Sequence, residues 1–185
     1  MSSTAVRPTS RPIRLFDSWW TVAAGALLAM VVLTAGVWCS LHMQADESMH
    51  TVALFAHLAS LVLGFGAVLS ADYHGLLWAT GRCTLAEVVG ATARLHVPIW
   101  AGLGGLVLSG LMLHPDIDSP LTLTKLGLVA ALTVNGLQAG LLARRLEATG
   151  ETIERKLLVW GGATALVSQI CWWGAVVIGF LNSNT

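Results

Sequence analysis

Two residues able to do chemistry stand where such residues are scarce. His57, in "HLASLVLGFGAVLSADYH", and Lys125, in "SPLTLTKLGLVAALTVNGLQAGLLARR", each lie inside a long apolar stretch. An imidazole offers a nitrogen that ligates metals or relays protons, and an amine offers a cation or, once deprotonated, a further ligand. A third feature is "LHMQADESMH" at 41–50, which reads almost the same in either direction, with His42 and Met43 mirrored by Met49 and His50 around acidic residues. Thioether with imidazole suits Cu(I), and imidazole with carboxylate suits Cu(II) or zinc. Met112, His114, Asp116 and Asp118 add the same chemistry farther along the chain. A copper port built from these groups and a plain polar loop between apolar helices are both open readings of this pattern.

The elements that must position these groups follow from composition. Of 185 residues, 55% are hydrophobic and 11% charged, against about 25% charged in an average soluble domain. Apolar stretches at 18–42, 50–71, 95–114, 121–143 and 157–181 each reach the roughly 18 to 20 residues that carry a helix across a hydrocarbon core. The sequence therefore predicts an all-α integral membrane protein, a bundle of five transmembrane helices forming one membrane domain over 17–185. Residues 1–16, polar, basic and proline-containing, hold too little apolar surface to order themselves and are expected to be a flexible cytoplasmic tail. The first stretch, "SWWTVAAGALLAMVVLTAGVWCSL", is much longer than the apolar core of a signal peptide, so an uncleaved first helix is expected.

Basic residues are retained on the cytoplasmic side during insertion. Arg7, Arg11 and Arg14 precede the first stretch, Arg82 and Arg94 follow the second, and Arg144, Arg145, Arg155 and Lys156 separate the fourth and fifth; the other two connections carry acids and no Lys or Arg. The expected topology has the N-terminus cytoplasmic and the C-terminus extracytoplasmic, in the bacterial inner membrane. Three arginines beside a membrane imply no nucleic-acid partner. The spans show no inverted halves or charged pairs of the kind a proton-coupled carrier uses.

Counting 1.5 Å per residue from the ends of the stretches places His57 roughly 9 Å and Lys125 roughly 6 Å below the outer interface, with Gln169 within a few ångströms of that layer. Ala53, His57, Ser60, Gly64, Ala67 and Ala71 alternate at spacings of four and three, a seam of small residues that forms a helix-contact face and aims His57 into the bundle. Asn135 and Gln138 read as interhelical glue. Glycines in "GLGGLVLSG" read as packing surfaces, since they lie within a span rather than between strand and helix. Thr84 and Glu87 fit a capping box that begins the third helix before the membrane, with Pro98 loosening it just inside. Small-residue seams leave a homodimer or a partner complex open.

The lysine-bearing segment and the early histidine resemble those of the copper-resistance protein D family and of HemJ-type protoporphyrinogen oxidases. "LSADYHGLL", "LSGLML", "TKLGLVAALTVNG" and "SQICWWGAVVIGF" are similar to uncharacterised bacterial membrane proteins of that set, from about residue 53 to the C-terminus. The resemblance implies that His57 ligates a b-type haem and that Lys125 matches the essential lysine of the HemJ-type enzymes. The aromatic-rich segment that follows the histidine in those enzymes is replaced here by "LGFGAVLSADYH", so the implication extends to haem and not to porphyrinogen oxidation. A haem site also needs small residues beside the macrocycle and a partner for the propionates or the second axial position. His57, the Ser60–Gly64 seam, Lys125 and Gln169 are the expected set. Deprotonated, Lys125 would ligate; protonated, it would pair a propionate. Copper handling and a non-catalytic subunit or scaffold are the alternatives.

Overall fold

The computed structural model describes residues 18–42, 47–149 and 154–182, and the tail assigned to 1–16 lies outside them. Among the described residues there are five α-helices and no strand: α1 (Trp19–His42), α2 (Glu47–Ala79), α3 (Leu85–Met112), α4 (Pro120–Thr149) and α5 (Arg155–Asn182). All five are long and apolar enough to cross a membrane. Large apolar side chains such as Phe55, Val62, Leu27, Leu108 and Phe180 are exposed, which is costly in water and favourable against lipid. The chain is an all-helical, multi-pass membrane protein.

Most of the helices outrun their apolar stretches. The second stretch ends at residue 71, but α2 continues to Ala79, because a helix keeps its backbone satisfied and stops only where other groups take over. That point is Gly81, at φ 73°. Its left-handed conformation lets Gly81 N–H bond the Trp78 carbonyl at 2.9 Å and Arg82 N–H bond the Leu77 carbonyl at 2.8 Å, the paired closure of a Schellman motif that a glycine adopts without steric cost. Three residues later the next helix is nucleated: Glu87 N–H donates to Thr84 Oγ1 at 3.3 Å and Thr84 N–H to Glu87 Oε2 at 2.6 Å. The capping box is present, and α3 then runs through Pro98 to Met112.

The core is built from α2 to α5. Val68, Leu103, Leu132, Cys171 and Trp172 form its centre. Phe65 stacks on Trp172 with ring centroids 5.6 Å apart and meets Trp173 edge-on at 5.0 Å. The closest crossing is between α2 and α3, where Gly64 and Gly102 bring two backbones together and Ser60 lies against Gly105. The α4–α5 pair is joined by Asn135, whose Nδ2 donates to the Thr164 carbonyl at 2.9 Å; Gln138 bonds back to Asn135 at 2.7 Å within α4. Helix α1 adds no residue to the central cluster and lies outside α3 and α4, with Gly25 against Leu137, Gly36 against Leu111, and Ser40 Oγ donating to the Leu111 carbonyl. The bundle thus has a Ser40 end, where α1, α3 and α5 finish, and a Trp19 end, where they start. At the latter Trp19 stacks on Trp160 at 5.3 Å, and the Arg145 guanidinium lies 5.9 and 5.4 Å from the two rings, tying α1, α4 and α5 through cation–π contact.

Candidate functional site

His57 lies toward the Ser40 end of α2, half-buried, with Nδ1 3.0 Å from Ser109 Oγ on α3. Ser109 has one hydroxyl proton, and it is directed at the Gly105 carbonyl one turn back. Its oxygen must therefore accept from His57 Nδ1–H. With the hydroxyl so directed, the proton is assigned to Nδ1 and the lone pair to Nε2. The Leu106 carbonyl stands beside both groups, 3.4 Å from the hydroxyl and within bonding reach of the ring. The imidazole lies against Gly110, where a Cβ would stand 3.4 Å from Cε1, at ordinary contact distance.

Lys125 enters the same level from α4. It is half-buried and within electrostatic reach of His57, and its Nζ lies 3.9 Å from where a Cβ on Gly179 of α5 would stand. Four helices therefore meet here, bringing an imidazole, a hydroxyl and an amine toward one another.

The other expected site residues are placed differently. Ser60 and Gly64 are engaged by α3: a Cβ on Gly105 would strike Ser60 Oγ, and one on Gly64 would lie 3.0 Å from Trp172 Cη2 and 3.1 Å from Gly102 Cα. Both are therefore packing residues of the crossing between α2 and its neighbours. Gln169 is not in the His57 layer. Its Nε2 donates to Asp72 of α2, and its Oε1 accepts from Trp173 Nε1–H at 2.9 Å. Asp72 is about 22 Å along α2 from His57. The residue that reaches Lys125 from α5 is Gly179, about 15 Å beyond Gln169. Side chains lean toward the start of their own helix, so Gln169, on a helix running the opposite way to α2 and α4, leans away from the Ser40 end. Asp72 was missed because the apolar stretch ends at Ala71; the signal that could have found it was Gln169 itself, an amide in the middle of an apolar run that needs a polar partner.

The mirrored stretch does not assemble into a site among the described residues. His42 Nδ1 bonds the Trp38 carbonyl of its own helix at 2.8 Å, with the two rings 4.4 Å apart. Met43 lies outside the described residues, Met49 and His50 are exposed on the first turns of α2, and His114 is exposed at φ 50° after α3. No three His, Cys, Asp or Glu side chains converge among the described residues. A cavity of about 170 Å³ lies between α1 and α4, lined by Thr21, Val22, Leu137, Leu141 and Arg144, and a lateral groove of about 530 Å³ runs along α1 at Met30, Val31, Thr34, Ala35 and Trp38; His57 borders neither. Compared with protein-family models, with curated proteins and with solved structures, the chain matches none.

Proposed function

We propose that this is a haem-binding protein of the bacterial inner membrane, N-terminus cytoplasmic and C-terminus outside, in which the His57 imidazole would hold a b-type haem and Lys125 would supply a cation for a propionate. The observation that carries this reading is the Ser109 hydrogen bond to His57 Nδ1. A metal-ligating histidine works with its second nitrogen tied to a fixed acceptor, which orients the ring and raises the basicity of the first. Ser109, buried and anchored on the Gly105 carbonyl, is such an acceptor. The donor chemistry fits the group, while Ser60, Gly64 and Gln169, committed to other partners, take no part in holding it. When bound, b-type haem supplies one-electron redox chemistry. The chain's own contribution is to hold one imidazole tautomer, to place an ammonium beside it and to keep both inside a largely apolar bundle.

Protein purified in mild detergent is expected to show a Soret band that shifts on dithionite reduction. His57→Ala is expected to abolish it, because b-type haem has no covalent tether, and the His42→Ala, His50→Ala double variant to leave it intact. A colourless preparation that resists haem reconstitution and binds copper through His42, Met43, Met49 and His50 would overturn the proposal in favour of copper handling. Binding of neither would overturn it in favour of a subunit that packs, as a homodimer or against a partner complex, through its small-residue faces.

A further inference from the structure

Thr122 precedes Lys125 by one turn of α4 and is 8% exposed. At a spacing of three the two side chains share one face of the helix, and burial turns that face into the bundle. Two other threonines of α4, Thr124 and Thr133, return their hydroxyl protons to the carbonyls four residues back, at 2.8 and 2.9 Å, the usual resort of a helical threonine. For Thr122 the residue four back is Asp118, ahead of the helix start at Pro120, and its hydroxyl makes no hydrogen bond among the described residues. Lys125 has the matching deficit: its amine, half-buried near His57 and Gly179, forms no ion pair among the described residues. The nearest acids along the chain, Asp116 and Asp118, are exposed, and Asp116 accepts from the Asp118 N–H at 3.0 Å. With no acid in the first turn of α4, the positive end of the helix dipole adds to the lysine charge. An unpaired hydroxyl and an unpaired cation in apolar surroundings each cost free energy, and one singly charged acceptor with two oxygens satisfies both. A carboxylate is such a group, whereas a phosphate dianion would leave a net charge against one ammonium.

We propose that Thr122 and Lys125, at the start of α4, bind the carboxylate of an organic acid, the hydroxyl donating to one oxygen and the ammonium pairing with the other. The site shares Lys125 with the proposed haem site but stands without haem, and its test separates the two. Full-length protein in mild detergent would be reductively methylated with formaldehyde and a borane, and the modification of Lys125 and of Lys156, exposed at the start of α5, read by peptide mass spectrometry. Sodium propionate at millimolar concentration is expected to slow methylation of Lys125 several-fold and to leave Lys156 unchanged. Thr122→Val, which keeps the shape and removes the hydroxyl, is expected to raise the protecting concentration at least about tenfold, and Thr124→Val, on the exposed side, to leave it unaltered. Micromolar haem would then be compared with its dimethyl ester, which keeps the iron and lacks the carboxylates. Protection by haem and not by the ester would name a haem propionate as the carboxylate; protection by propionate with none by haem would name a free acid and count against the haem reading alone. Equal protection by sodium chloride, unchanged protection in Thr122→Val, protection by neither propionate nor haem, or a Lys125 that does not react even without ligand would overturn the proposal, since a site that admits a carboxylate admits formaldehyde.

Discussion

Gly102 and Gly104 stand two residues apart on α3 and should respond oppositely to the same added methyl group. A Cβ on Gly102 would run into the Cα and N of Gly64 and the carbonyl oxygen of Ser60, whereas one on Gly104 meets nothing within 4 Å. Ordinary carbon contacts lie at about 3.5–4.0 Å, and the atoms in the way are backbone, which cannot rotate aside. In Gly102→Ala the α2 and α3 axes must part by about 1 Å, and contacts along the crossing then forfeit about a quarter to a half of their dispersion energy. Overpacking costs about 1–3 kcal/mol, and a backbone-to-backbone clash belongs at the top of that range. At about 2–4 °C per kcal/mol for a chain of this size, the melting temperature of Gly102→Ala should fall by roughly 6–12 °C. Gly104→Ala should leave it unchanged or raise it slightly, since alanine favours helix by about 1 kcal/mol over glycine. Thermal melts in mild detergent, followed by far-ultraviolet circular dichroism and by tryptophan fluorescence, to which Trp172 against Gly64 contributes, would measure both. A Gly102→Ala melt within about 2 °C of wild type, or an equal fall in Gly104→Ala, would refute the reasoning, because only the close crossing distinguishes the two sites.

A topology reporter fused after Thr185 should read extracytoplasmic and one inserted near Thr149 cytoplasmic, and reversed signals would sink the proposed orientation. Gln169→Leu leaves the Asp72 carboxyl without its hydrogen-bond donor and should cost about 1–3 kcal/mol; the Asp72→Leu, Gln169→Leu pair should recover most of it, and additive losses in chemical unfolding would show that the contact carries no coupling. Ser109→Ala should keep the Soret band but weaken haem affinity about 10- to 100-fold by freeing the imidazole to turn, a difference read by haem titration of the apoprotein. Unchanged affinity would mean that the hydroxyl does not position the ring.

The membrane class, the number of helices and two residues of the candidate site could be read without coordinates, because each depends on local quantities. An apolar run long enough to cross lipid must be a helix, since no other backbone conformation satisfies its own hydrogen bonds there, and His57 and Lys125 announce themselves as ionisable groups within such runs. The Thr84–Glu87 cap was legible for the same reason, its bonds spanning only three residues. Tertiary structure decided which polar group meets which. Ser109 is one of several serines in apolar surroundings, and only the α2–α3 crossing makes it the partner of His57. The same crossing sets Ser60 against Gly105 and Gly64 against Gly102. Gln169 and Asp72 found each other rather than the His57 layer, because the relative shift of two antiparallel helices is set by contacts between residues far apart in the chain, such as Trp172 at Gly64, which counting along either helix does not contain.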